Sequence, residues 1–550
     1  MEVQCYPIAT VPGTTALLRD FLEPSTAADP ALLRRWYPSE PFGFGWARKA
    51  PEISSEHRER LADLLLEQAE RFGAREATRE NIERLRNGAA AVVTGQQVAL
   101  FGGPLLTLLK AATAIRKAED ASLQTGRKHV PVFWLASEDH DLAEVDQLAL
   151  PTKTAIETLK LELEPARPVP VGGLRTDGGN EDGRARLTAT LDRASELIGW
   201  GPVAELLREC YAPEKGTNLA QAFGRFLAAA FAEFGLVVMD ASSRGFHELG
   251  ARALRAAIED AESLETALLA RSEELTSAGY HAQVLVTPGH SVLFLLDAET
   301  SARQPLRRGE NGQWKAGART YSTAELLTIL DSEPERLSPN ALLRPVFQDA
   351  ILPTAAYIAG PAEIAYFAQS AVIYERVLGR VTPVLPRLSA TLVEPALAKL
   401  MASHEIQFPQ LWEAKTADAL SQRLGARAMP IELKRRLSGA GNALDSELDA
   451  LTEYMSTMSP DLGRAAGVSA NKMRYQMNRL RGMAAAFEVQ REASLGKHAT
   501  ALMLNLFPEG QLQERVIGGI WFMARYGEGL PKLMVENAAQ ECPGHRVLFL

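Results

Sequence analysis

Cysteine is scarce: Cys5, Cys210 and Cys542 are the only three among 550 residues. Their spacing fits neither a zinc site nor a redox motif, and scattered single cysteines usually pack as small apolar side chains. A reducing cytoplasm is the expected compartment. Long apolar runs are missing as well. No stretch of about 18 apolar residues occurs, so neither a membrane-spanning helix nor a membrane partner is expected. Met1-Glu2-Val3-Gln4-Cys5 lacks the basic-then-apolar pattern of a secretory signal. Positive charge is not in excess: 59 Lys and Arg against 68 Asp and Glu leave a net charge of −9. That argues against nucleic acid as the partner, since phosphate binding needs a basic face. Three motifs are also absent, namely a Walker A loop, a Gly-x-Gly-x-x-Gly turn after a strand, and a Gly-x-Ser-x-Gly elbow. P-loop kinases, dinucleotide dehydrogenases and α/β-hydrolases are therefore disfavoured.

What is present reads as an ordinary globular chain, 46% hydrophobic and 23% charged, too long for one core. Residues 1–88 read as helical, with Leu61, Leu64, Leu65, Gln68 and Phe72 on one helix face. Residues 89–149 carry a strand–helix–strand unit, and 150–215 an insert with a helix over Leu187–Leu197. In 216–280, a helix over Leu219–Phe234 runs into a buried strand ending at Asp240, which predicts a third parallel strand. A β-rich insert is expected over 281–335, with two short strands flanking Pro288-Gly289 and a hairpin turn at Arg307–Gly312. Core-like sequence returns over 336–395, and 496–550 should pack on the core. Between them, 396–495 differs. Leu433, Leu437, Leu444, Leu448, Leu451, Met455 and Met458, then after Pro460 Met473, Met477, Leu480, Ala484 and Phe487, follow a spacing near 3.5. That predicts an antiparallel helical hairpin whose seam packs on the body or pairs with a second subunit. The fold class is α/β with a helical arm.

The candidate site lies between Ala89 and Glu144. Two apolar runs end abruptly in polar residues, the first at Thr94-Gly95-Gln96-Gln97 and the second at Ser137-Glu138-Asp139-His140-Asp141. At the carboxyl ends of adjacent parallel strands both would face one ligand crevice. The acidic group could hold Mg²⁺ or supply a general base, or it could be merely an acidic helix start with a packed histidine. Gly102-Gly103-Pro104 before the helix of Lys110 fits an anion site, or a plain turn. A later cluster adds Asn340, Arg344, Tyr357, Gly360, Glu363 and Arg387, where the arginines suit bidentate carboxylate or phosphate binding, or structural ion pairs.

Taken in order, these segments resemble the bacillithiol biosynthesis cysteine-adding enzyme family. The resemblance rests on Thr94-Gly-Gln-Gln97, Leu100-Phe-Gly-Gly-Pro104 with Lys110, and Phe133-Trp-Leu-Ala-Ser-Glu-Asp-His-Asp141. It continues through Ser338-Pro-Asn340, Leu343-Arg-Pro345, Ala359-Gly-Pro361, Glu363-Ile-Ala-Tyr366, Pro386-Arg387 and Ser389–Glu394, to Asn505–Pro508, Leu512-Gln-Glu-Arg515 and Ala524-Arg-Tyr526. It covers nearly the whole chain. Ala99 departs from the family motif, which usually has glycine there. The resemblance implies a Rossmann-like parallel-sheet core with connecting-peptide inserts, similar to class I aminoacyl-tRNA synthetases, plus an α-helical coiled-coil arm for homodimerisation. It also implies a reaction, the joining of L-cysteine to the amine of glucosaminyl-malate. The lysine–serine loop of the synthetases has no obvious counterpart here, so the resemblance leaves the chemical mechanism open.

An amide does not form from a free carboxylate in water without activation. A nucleotide or phosphate donor, ATP with Mg²⁺ among the candidates, is therefore expected to activate cysteine first. On this reading Gln96, Gln97 and the Gly102-Gly103 backbone cradle phosphate or carboxylate. Asp139 or His140 takes the amine's proton, with Asp141 or Glu138 orienting it, and Arg344 and Arg387 hold the malyl carboxylates. Thr94, Gly95, Lys110, Trp134, Ser137, Asn340, Tyr357, Gly360 and Glu363 complete the expected binding surface. The alternatives are an adenylate-forming ligase or nucleotidylyltransferase acting on another acid, and a non-enzymatic dimeric scaffold.

Overall fold

Ala90–Gln97 and His129–Ala136 are almost continuous apolar runs before their polar tips, the pattern of strands covered on both faces. The computed structural model describes residues 2–211, 217–309 and 312–550. In it these strands form the middle of a five-stranded parallel sheet with Val237–Asp240, Thr354–Ala359 and Val384–Pro386. Numbered by appearance in the chain, the strands lie in the order 3-2-1-4-5. The order reverses between Ala90–Gln97 and Thr354–Ala359, which is where doubly wound sheets open a crevice at the carboxyl ends. The predicted third parallel strand is thus present at the sheet edge. Helix Leu106–Thr125 follows the first strand and stops at Gly126, whose φ of 73° suits the left-handed cap. Arg244–Glu259 follows the third strand and Pro361–Leu378 the fourth.

The insert after residue 280 forms an antiparallel sheet of Arg319–Tyr321, Trp314–Ala316, Arg303–Arg308, His290–Leu296 and Leu337–Pro339, in that spatial order. Of the expected hairpin turn, Glu310 and Asn311 lie outside the described residues; the flanking strands pair, with Arg308 opposite Trp314. Only one strand forms near Pro288-Gly289. Residues 283–287 form no strand, and the Gln369 side chain bonds both the N–H and the C=O of Val284.

Two expectations about the chain's outer parts need correcting. Residues 2–7 are a strand rather than part of a helical segment, and Gly544–Phe549 is a strand too. They pair antiparallel, while Ala390–Val393 pairs in parallel on the other side of Gly544–Phe549. This register puts Cys5 opposite Arg546, and Cys5 is disulfide-bonded to Cys542. The scattered-thiol reading therefore fails for these two. A contact 537 residues apart in sequence leaves no trace in spacing. Cys210 is free and buried.

Ile431–Met458 and Pro460–Arg491 form the arm. Gly441 lies against Arg481 and Gly463 against Ser456, so the helices run antiparallel with small residues at the close approaches. Leu448 is buried in the hairpin, whereas Leu451, Met458, Met473, Leu480 and Phe487 are 48–66% exposed. The apolar pattern thus serves two faces, one inside the hairpin and one outward. No helix among the described residues is long and apolar enough to cross a membrane.

Candidate active site

A cavity of about 720 Å³ opens at the reversal of strand order. It is lined by the tips of the first, second and fourth strands, by the starts of the helices behind them and by the β-rich insert. Lys110 sits at its floor, in the second turn of its helix and 3% exposed. Its Nζ donates to the Gly95 carbonyl at 2.6 Å and to Gln96 Oε1 at 3.1 Å, and pairs with Glu363 Oε2 at 2.5 Å. Glu363 also accepts from the Tyr357 hydroxyl at 2.6 Å and the Gly360 amide at 2.7 Å. Burial alone would raise the Glu363 carboxyl; the Lys110 ammonium and these donors outweigh it and hold the carboxyl below its usual range. Burial lowers the Lys110 ammonium against the pull of Glu363. With three acceptors around Nζ, the charged pair is the form that fits the geometry.

Arg344 lies one layer above. It donates to the hydroxyls of Tyr366 at 2.7 Å and Tyr357 at 3.3 Å, and to Gln348 at 3.3 Å. It has no carboxylate in ion-pair contact among the described residues, so the cavity keeps a half-buried cation. Arg387 is different: Nη2 meets the buried Glu514 at 2.6 Å and Nη1 the Leu388 carbonyl at 2.8 Å. It still lines the cavity, but its guanidinium is already paired, which sets it apart from Arg344.

The second strand's tip forms the opposite wall. Ser137 donates to Asp240 at 2.5 Å, and burial raises the Asp240 carboxyl against that bond. Glu138 Oε1 lies 3.0 Å from His247 Nε2. Asp139 accepts from Gln97 at 2.7 Å and from the His140 amide at 2.8 Å. His140 Nδ1 accepts from Arg303 Nη1 at 2.9 Å, which leaves the neutral ring's proton on Nε2. Arg303 lies 3.7 Å over the Phe294 ring and also donates to Ser338 and the Pro339 carbonyl.

Most of the expected residues therefore meet in one cavity, including Gly95, Gln96, Gln97, Trp134, Asn340 and Gly360. Asn340 does so while its side-chain oxygen caps the amides of Leu342 and Leu343. Four do not line it. The Thr94 hydroxyl is buried and donates to Ile358 on the neighbouring strand. Asp141 is exposed and is not part of the cavity lining. Gly102 and Gly103 are not a phosphate cradle: the Gly102 amide takes the Tyr211 hydroxyl and the Gly103 amide the Leu100 carbonyl. Their glycines answer to packing. A Cβ on Gly102 would stand 2.1 Å from Phe226, at a φ of +83°. The acids of the second tip also diverge. Among the described residues no three His, Cys, Asp or Glu side chains are grouped to hold a metal, so the Mg²⁺ reading of that cluster finds no ligand set.

Sequence reasoning missed His247 and Arg303, and gave no site role to Tyr366 and Arg515, although both stand in the segments quoted above. Tyr366 stands one helical turn beyond Glu363, a spacing that puts both on one face. His247 falls in the helix after the strand ending at Asp240, an equivalent position to Lys110 after the first strand. Arg303 had no signal, being 163 residues from His140 in another segment.

Family models agree with this arrangement. Residues 1–388 match the model described as "Bacillithiol biosynthesis BshC, N-terminal Rossmann-like domain", and residues 390–550 match "Bacillithiol biosynthesis BshC, C-terminal coiled-coil domain". The chain belongs to the BshC family. Similar proteins include one from Koribacter versatilis, 40% identical over 551 residues and all of both chains, named "Putative cysteine ligase BshC". Relatives of the same name from Solibacter usitatus, 35% identical over all of both chains, and Thermus thermophilus, 33% identical over 86% of this chain and 91% of that one, extend the likeness. As a BshC family member the chain is a ligase of bacillithiol biosynthesis with a Rossmann-like core and a coiled-coil arm.

Proposed function

We propose that this ligase joins L-cysteine to the amine of glucosaminyl-malate within the cavity at the strand-order reversal, after a nucleotide or phosphoryl donor has activated the cysteine carboxylate. The observation that carries the reading is Arg344, a half-buried cation with no carboxylate in ion-pair contact among the described residues, in a cavity also lined by Glu138, Asp139 and His140. One end of the cavity suits an acidic group and the other a protonated amine. Since Arg387 is held by Glu514, Arg344 is the residue left to bind a malyl carboxylate.

The test is product formation from cysteine, glucosaminyl-malate and ATP·Mg, followed by mass and by nucleotide release. Product without any nucleotide rejects the activation step. A charged hydrogen bond is worth about 1.5–3 kcal/mol, so Arg344→Ala should raise the KM for glucosaminyl-malate roughly 10- to 150-fold with a smaller change in kcat. An unchanged KM removes Arg344 from the binding role.

The partner on the outer face of the arm is a second copy of the chain, by this proposal. Leu451, Met458, Met473, Leu480 and Phe487 give that face the apolar spacing of a helix interface. Light scattering at micromolar concentration should return twice the 59.9 kDa chain mass. A monomer there rejects the pairing.

A further inference from the structure

We propose that Glu138 is the base that takes the proton of the attacking amine, and that His247, buried behind it, is the positioning residue that holds its carboxylate in the cavity. This rests on the ligase reading above and names the acceptor within it. Three acceptors compete at the second strand's tip, and two are already engaged. His140 gives its Nδ1 lone pair to Arg303, so the ring faces the cavity as a donor. Asp139 accepts at both oxygens, from Gln97 and from the His140 amide, with Arg303 Nη1 3.8 Å from Oδ1. Glu138 differs: Oε1 meets His247 at 3.0 Å, while Oε2 takes no hydrogen bond from a described residue. Its side chain is 16% exposed and lines the cavity.

His247 is placed to hold that carboxylate still. Helix Arg244–Glu259 carries it, it is 0% exposed, and its ring packs 5.1 Å from Phe347, which is edge-on to Trp134. Among the described residues Glu138 is the side chain its ring bonds, with the Pro334 backbone a weaker partner behind it. Burial pulls the imidazolium down, yet the Glu138 charge and hydrogen bond outweigh burial and raise it above the usual histidine value. Arg303 and Asp240 also face Glu138, and Glu335 faces His247. A donor fixed in this way holds Oε1 and leaves Oε2 without a hydrogen bond from a described residue.

The step balances simply. The amine nitrogen attacks the cysteinyl carbonyl carbon, whose leaving group comes from a nucleoside triphosphate. The C–N bond forms, the N–H proton passes to Glu138 Oε2, and the C–O bond breaks with its electron pair on the phosphoryl oxygen. His247 keeps its proton throughout, which makes it a positioning residue and no relay.

The full chain tests this by three readouts. Glu138→Gln should lower kcat about 10²- to 10⁴-fold, the usual value of a general base, with both KM values within threefold. His247→Ala should lower kcat with little change in KM. His247→Gln, which keeps an N–H donor at similar reach, should restore most of the loss while circular dichroism matches the parent. Imidazole nitrogen NMR, recorded without substrates, should show His247 titrating at lower pH in Glu138→Gln than in the parent. Glu138→Gln retaining over a tenth of kcat, His247→Gln being as poor as His247→Ala, or an unmoved His247 titration overturns the proposal. A parent chain that makes no cysteinyl product instead rejects the ligase reading, and the NMR titration still decides whether Glu138 and His247 act as a pair.

Discussion

Lys110→Met should cost about 3–5 kcal/mol of core stability, the loss expected when one member of a buried ion pair is removed. Lysine in the second turn of a helix opposes the macrodipole, and burying its ammonium adds a desolvation cost. Only the local partners make the position tenable. Lys110 and Glu363 have side chains 4% and 15% exposed, and the Nζ contacts bind the first strand's tip to the helix after the fourth. Methionine matches the stem but leaves Glu363 as an uncompensated carboxylate under the sheet. Pairing the change with Glu363→Gln should recover most of the loss, because no bare charge then remains. By contrast, the exposed Arg193–Glu157 pair is worth about 0–1 kcal/mol at most. Urea titration of the core transition measures all three. A Lys110→Met midpoint equal to that of the parent would show that the pair does not hold the strands together.

The second large effect is an acid sensitivity centred on His545. Its ring is fully buried, with Nδ1 2.8 Å from the Ser389 hydroxyl and Nε2 2.8 Å from that of Thr391. Burial pushes its pKa down to about 4, against the pull of Glu514 and with the help of Arg387. In the unfolded chain the imidazole takes its proton near pH 6.5. Between these values the unfolded state binds the extra proton, so stability is full above about pH 6.5 and falls toward pH 4. At about 1.4 kcal/mol per pH unit, the loss from this residue reaches about 3 kcal/mol. His545→Asn keeps a hydrogen-bonding side chain without titrating. Its stability should change less over that window than the parent's. Parallel pH dependences would mean that the Ser389–His545–Thr391 contact does not control acid unfolding.

The strands were legible because a doubly covered sheet demands unbroken apolar runs, as in Val130–Leu135, and because Asp240 repeats the polar-tip pattern. Their spatial order was not, since nothing local distinguishes a neighbour in the chain from a neighbour in the sheet. The cavity's residues were legible as strand-end and helix-start groups, but not which charges were free. Arg344 and Arg387 look alike in sequence; Glu514, contributed by a distant segment, neutralises only one of them. Gly102-Gly103 misled for a related reason. A glycine that avoids Phe226 and a glycine that admits a phosphate look the same until the neighbour is known. His247 escaped notice because it acts through Glu138, with 109 residues between them.

The sheet that joins Glu2–Pro7 to Gly544–Phe549 has a consequence for biosynthesis. Gly544–Phe549 is its middle strand, so Glu2–Pro7 and Ala390–Val393 have no hydrogen-bonding partner there until it emerges from the ribosome. During translation the nascent chain carries an open strand edge, a template for pairing with the wrong chain. Cys5 likewise stays a free thiol until Cys542, 537 residues later, has been made. Completion of this sheet is therefore a late event however early the parallel core forms.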